Sequence, residues 1–164
     1  MDKKFDLTTL LLELVDADIR FVVVGGVAAV LQGVPTTTFD LDVVHDTRAD
    51  NVARIVELLE KIDARVRGRP DGQRLVPGVD ALSGPGHQLL QTQFGALDLL
   101  GAIEGGRTYE ELKTACVTLT VKGRELNVVG LEKLLELKQG STHPKDRNTV
   151  MLLEQVLKHK ESGG

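Results

Sequence analysis

The sequence predicts an α/β fold: a mixed, twisted sheet with helices packed on it. Short β-branched runs such as Phe21-Val22-Val23-Val24 alternate with stretches whose apolar residues recur every three or four positions. Gly and Pro cluster where one kind of run gives way to the other. With 164 residues and 41% hydrophobic content, the chain is long enough for one domain with a sizeable core and short for two.

In order, FDLTTLLLELVDA from Phe5 to about Ala17 reads as an amphipathic helix that Asp6, Thr8 or Thr9 caps, with Leu10, Leu11, Leu14 and Val15 as its apolar stripe. Phe21 to Val24 is a buried strand, bounded by Gly25-Gly26. Val27 to Gln32 is a short helix stopped by Gly33 and Pro35, and Thr38 to Val44 is a second strand. A helix from about Asn51 to Ala64 buries Val52, Ile55, Val56, Leu59 and Ile62. Arg67 to Gly86 is a Gly- and Pro-rich loop, either an active-site flap or an irregular connector, with Leu75-Val76 as a short edge strand within it. His87 to Phe94 and Ala96 to Gly101 are strands, and Arg107 to Lys113 is a short helix with Thr108 at its cap. Cys116 to Val121 and Arg124 to Val129 form a hairpin around Lys122-Gly123. Helices over Leu131 to Lys138 and Lys145 to about Lys158 follow, the second opened by Pro144. Residues 1–164 form one domain, with 160–164 a frayed tail.

Composition narrows the function. Aromatics make up 3% and Trp is absent, which argues against a stacking platform for single-stranded nucleic acid. The single cysteine, Cys116, excludes an internal disulfide and a cysteine metal cluster, and it reads as a small apolar residue. No apolar run reaches membrane-spanning length, and the Lys3-Lys4 start lacks the apolar stretch of a signal peptide. The expectation is a cytoplasmic protein with no membrane partner. A net charge of −4 disfavours a broad electrostatic grip on nucleic acid. That charge is uneven: residues 122–160 hold eight Lys/Arg and five Asp/Glu, against twelve and nineteen elsewhere.

The chemistry concentrates in FVVVGGVAAVLQGVPTTTFDLDVVHD, from Phe21 to Asp46. Alternation along a strand points Asp40 and Asp42 to one face, and Phe39, Leu41 and Val43 to the core. Two adjacent half-buried carboxylates repel each other, and a divalent cation bridging them removes the penalty. Gly25-Gly26 lies just before a helix, where free N–H groups and the helix dipole favour a phosphate. Asp98 stands between Leu97 and Leu99 on a central strand, an awkward place for a carboxylate unless something binds it. Solvated acids, a salt-bridged Asp98 and a merely tight turn at Gly25-Gly26 are the plainer alternatives. His45 and His87 read as structural or exposed.

A glycine pair after a strand, about a dozen residues and then Asp-apolar-Asp resembles the signature of the DNA polymerase beta-like nucleotidyltransferase superfamily. The nearer likeness is to its small stand-alone prokaryotic members, related to toxin–antitoxin and abortive-infection nucleotidyltransferases. The resemblance runs from about Val23 to Glu154. It takes in Gly25-Gly26, Ala28-Ala29, Gly33, Thr38, Asp40-Leu41-Asp42, Gln91-Thr92, Gly95, Leu97-Asp98, Tyr109, the Gly123 hairpin, Leu137-Lys138 and Pro144-Lys145-Asp146. It implies the nucleotidyltransferase fold and transfer of a nucleoside monophosphate from an NTP to a hydroxyl on RNA, a protein or a small molecule, with a partner protein as a further option. Asp40 and Asp42 would hold Mg²⁺ (or Mn²⁺), and Asp98 would complete the cation site or take the acceptor's proton. Gly25, Gly26 and Thr38 would meet phosphates, and Lys138 and Lys145 would reach the triphosphate or acceptor, with Asp146 orienting them. Two positions depart from the pattern: Thr36 and His143 stand where relatives often have Arg. These departures support an alternative, a catalytically faded module that binds nucleotide or a partner. A metal-dependent phosphohydrolase is a third reading, since clustered carboxylates serve that chemistry too.

Overall fold

A computed structural model describes residues 6–70, 75–139 and 144–162; the side chains of residues 144, 145 and 162 lie outside it. Helix α1 (Leu7–Asp16) opens at Asp6, whose Oδ1 accepts the Thr9 N–H at 3.0 Å, and it buries Leu10, Leu11 and Leu14. Strand β1 (Phe21–Val24) is buried throughout and runs straight into α2 (Gly25–Leu31). Next come β2 (Asp40–His45), α3 (Ala49–Lys61), β3 (Arg65–Val66), α4 (Val79–Ser83), β4 (His87–Thr92) and β5 (Gly95–Leu100). The chain closes with α5 (Tyr109–Leu112), β6 (Cys116–Val121), β7 (Arg124–Val129), α6 (Leu131–Lys138) and α7 (Pro144–Ser162).

The seven strands form one mixed sheet in the order β3-β4-β5-β2-β1-β7-β6. β2 is central: it pairs antiparallel with β1 and parallel with β5, and β1 pairs parallel with β7. The α/β fold expected from the sequence is therefore present. The core is aliphatic, built on Val22, Val23, Leu41, Val43, Leu97, Leu99 and Val128 from the strands and Leu10, Leu14, Ile55 and Leu59 from the helices. None of the helices is long and apolar enough to cross a membrane among the described residues.

Several sequence expectations need correction. Phe39 is not in the core: β2 begins one residue later, at Asp40, and Phe39 is 68% exposed. Leu75-Val76 forms no strand. The edge strand is instead Arg65–Val66, and Leu75 contributes its carbonyl to the Val66 N–H at 2.7 Å. The interval read as loop contains α4, and α7 continues to Ser162, so residues 160–162 are helical rather than frayed. Thr108 occupies the N-cap of α5 without a side-chain capping bond.

The exit from β2 is fixed by a buried polar knot. Asn51, fully buried, accepts the Arg20 N–H at 2.7 Å and donates to the carbonyls of Arg20 (3.1 Å) and Asp46 (2.7 Å). Arg20 Nε also meets Asp46 Oδ2 at 2.7 Å. Burial works to raise the Asp46 pKa, but Arg20 and the Arg48 N–H outweigh it and hold the group below its usual range. This knot ties the start of β1 to the end of β2 and so sets the register that positions Asp42. Asn51→Ala takes the side-chain partner from the Arg20 N–H and the Asp46 carbonyl, while the Arg20 carbonyl keeps the Asp46 N–H at 3.1 Å, and urea unfolding should show a loss of about 2–4 kcal/mol.

His45, fully buried at the end of β2, places Nε2 2.8 Å from the Leu82 carbonyl. A carbonyl only accepts, so that nitrogen carries the proton, and burial pushes the imidazole pKa down. His45 is a core histidine anchoring α4. His87 is likewise structural, with Nε2 2.7 Å from the Ala102 carbonyl. Cys116 is half-buried rather than fully enclosed, and burial pushes its thiol up to about 11.

Candidate active site

Parallel pairing of β2 with β5 sets Asp42 directly opposite Asp98, with Asp40 opposite Ala96. Side chains paired across neighbouring strands share a face, so the sheet register brings all three aspartates together. One carboxylate oxygen from each lies within 4.8 Å of the others. Among the described residues no other group of three His, Cys, Asp or Glu converges in this way. Asp98 is buried, at 8% exposure.

This cluster is under electrostatic strain. Burial, a proton shared with Asp98 and the nearby charge of Asp40 push the Asp42 pKa up to about 8, against a smaller opposing pull from Lys138. Asp42 Oδ1 is buried with no hydrogen-bond partner. Asp98 Oδ1 also receives no aligned hydrogen bond, although Arg67 approaches it at 2.7 Å. Three converging carboxylates, with Asp42 Oδ1 left without a hydrogen-bond partner, are the hard oxygen donor set a divalent ion such as Mg²⁺ or Mn²⁺ takes. The residues fit the ion.

Gly25 and Gly26 complete one flank. β1 ends at Val24, paired with Asp42, so the first turn of α2 rises beside the acids. Gly25 has φ +66°, and a Cβ there would come within 3.2 Å of Asp42 Cβ and strike its carboxylate. A Cβ on Gly26 would lie 2.7 Å from Thr38 Oγ1 and 2.8 Å from Thr38 Cβ. Both glycines are therefore required by close approach to Asp42 and Thr38. Thr38 Oγ1 donates to the Asp40 carbonyl at 3.1 Å. Lys138, at the end of α6, bonds Asp146 Oδ1 at 3.2 Å, with its charge acting on Asp42.

The structure thus gathers Asp40, Asp42, Asp98, Gly25, Gly26, Thr38 and Lys138. Lys145 lies in the first turn of α7 with its side chain outside the described set, and His143 is outside the described residues. Thr36 is half-buried and uncharged at its position. One residue escaped the sequence reading. Arg67, placed in the loop, continues the line of β3: its N–H bonds the Leu89 carbonyl at 2.9 Å, and Leu89 pairs with Asp98. Arg-Val-Arg over 65–67 is too short a run to read as a strand from the sequence.

No protein-family model and no curated protein matches the sequence. Solved structures do. The lincosamide antibiotic adenylyltransferase LnuA, lincomycin-bound, aligns with a TM-score of 0.63 at 17% identity, over 92% of this chain and 95% of that one. The antibiotic-resistance factor ANT(2'')-Ia, in complex with adenylyl-2''-tobramycin, aligns with a TM-score of 0.58 at 14% identity, over 94% and 91%. The chain has the nucleotidyltransferase fold. The Thermotoga maritima protein TM1012 shares it, with a TM-score of 0.56 and 17% identity over 95% and 93% of the two chains. At these identities the likeness establishes the nucleotidyltransferase architecture.

Proposed function

We propose that this protein is a divalent-cation-dependent nucleotidyltransferase that moves a nucleoside monophosphate from an NTP to a hydroxyl of RNA, a protein or a small molecule. The observation that carries the reading is the Asp42–Asp98 register with Asp40 alongside, packed against the Gly25-Gly26 turn. Asp40 and Asp42 would hold Mg²⁺ or Mn²⁺, with Asp98 as the third ligand. When bound, such ions stabilise the attacking and leaving oxygens of an in-line displacement.

The chain's own groups do the rest. The Gly25 and Gly26 backbone and the Thr38 hydroxyl face the phosphates. Lys138, which Asp146 steadies, would supply positive charge to the triphosphate or acceptor, and Lys145 would add to it. The acceptor oxygen bonds to the α-phosphorus as the bond to pyrophosphate breaks, and the hydroxyl proton passes to Asp98 or to water. The two neighbours named above, an adenylyltransferase and a complex with an adenylylated antibiotic, support this class of reaction.

The test is label transfer. The protein is incubated with Mg²⁺ or Mn²⁺, each of four α-phosphate-labelled NTPs, and extracts of RNA, protein and small metabolites. Label on an acceptor, with pyrophosphate released and both effects absent in Asp40→Asn/Asp42→Asn, is the expected outcome. Release of inorganic phosphate alone would assign a phosphohydrolase instead. Cation-dependent nucleotide binding with no transfer to any fraction would assign a binding module.

A further inference from the structure

We propose that the sheet face over β4 and β3 is the acceptor half of this site, that Arg67 is its exchangeable cation, and that the acceptor is a phosphate ester bearing the free hydroxyl. The inference rests on the nucleotidyltransferase reading above.

The register lays out a single row across the sheet. Arg67 lies opposite Leu89, Leu89 opposite Asp98, Asp98 opposite Asp42, and Asp42 opposite Val24, where α2 begins. The neighbouring row on the same face runs from Arg65 through Gln91 and Ala96 to Asp40. The glycine turn occupies the β1 end of these rows, which leaves the β4–β3 end for the second substrate. That end is open: Leu89 is 44% exposed, and Gln91, Arg65 and Arg67 are half-buried.

Its charge selects the occupant. Within β3, β4 and β5 the sole carboxylate is Asp98, which the cation would claim, and the neighbouring side chains of this face are Arg65 and Arg67. A polyamine such as tobramycin would meet two guanidinium groups there, whereas a phosphate would be drawn in.

Arg67 is built to exchange. One guanidinium nitrogen bonds the Leu90 carbonyl at 2.7 Å, while the other sits 2.7 Å from Asp98 Oδ1 off the hydrogen-bonding line. A divalent ion and the guanidinium claim the same carboxylate. Once the ion holds Asp98, like charge drives Arg67 off it. The Leu90 bond keeps the arginine on the shelf, where its free edge suits a phosphate in two-point geometry.

Mn²⁺ binding, followed by paramagnetic resonance, and probe binding, followed by calorimetry, test this in wild type, Arg67→Gln and Arg67→Lys. Arg67→Gln should bind Mn²⁺ several-fold more tightly, with Arg67→Lys close to wild type. With Mn²⁺ and a non-hydrolysable NTP analogue in place, ribose 5-phosphate or a 5′-phosphorylated trinucleotide should bind wild type, lose at least tenfold in Arg67→Gln, and recover in part in Arg67→Lys. The probe that binds identifies a free sugar phosphate or a nucleic-acid end as the source. Binding of neither probe to wild type, equal binding to Arg67→Gln, or preferential binding of tobramycin overturns the proposal and leaves the nucleotidyltransferase reading standing. Failure of wild type to take up Mn²⁺ or the NTP analogue overturns both.

Discussion

Asp42→Asn should melt at a higher temperature than the wild type at pH 8 without divalent cations, and lose at least about a thousandfold in transfer, roughly 4 kcal/mol of barrier. Both effects have one origin. Burial, the proton shared with Asp98 and the charge of Asp40 raise the Asp42 pKa from 3.8 to about 8 in the folded chain. Between those two values the folded state holds a proton that the unfolded state has released, so stability falls as pH rises through that window. The wild type should therefore lose several degrees of Tm between pH 5 and pH 8, and millimolar Mg²⁺ should restore most of it at pH 8. The amide cannot ionise, so Asp42→Asn should show a flatter profile and little rescue by Mg²⁺. His45 contributes a slope of the opposite sign: its folded pKa lies below 6.5, so it destabilises as pH falls through that value, with no response to Mg²⁺. Differential scanning calorimetry across pH, with and without Mg²⁺, separates the two.

Gly25→Ala should damage stability and cation binding together. At φ +66° an L side chain costs about 1–2 kcal/mol in backbone strain alone. The added Cβ also collides with the Asp42 carboxylate, so either the first turn of α2 or the carboxylate must move. The expected result is a loss of about 2–4 kcal/mol in urea unfolding together with a tenfold or greater weakening of Mn²⁺ binding. The same change at Gly123, also at positive φ but with open space around it, should cost strain and leave Mn²⁺ binding unchanged.

The site was legible in the sequence because its two parts obey local rules. Asp-Leu-Asp on a strand must place both acids on one face, and a glycine pair between a strand and a helix marks a close approach. Strand existence also followed from local pattern, as β6 and β7 show: the Lys122-Gly123 turn and flanking β-branched runs fix the hairpin where it was expected. What local pattern could not supply was register between distant strands. Asp98 meets Asp42 because β5 pairs parallel with β2 fifty-odd residues away, and single-strand periodicity carries no record of that. Arg67 was invisible for the same reason. A two-residue edge strand is too short to show alternation, and its importance comes from lying two strands away from Asp98 in the same row. Phe39 misled because strand parity was extended one residue past where pairing begins, at Asp40.

In the proposed site the three aspartates hold a divalent cation against a nucleoside triphosphate. Crystals of the wild-type protein grown with Mn²⁺ and a non-hydrolysable NTP analogue would test it most directly, through the anomalous signal of manganese. The expected result is a manganese peak bridging Asp40 and Asp42 with Asp98 in reach, and the triphosphate lying against the Gly25-Gly26 turn. A nucleotide bound elsewhere, or an ordered triphosphate with no manganese at the aspartates, would contradict it.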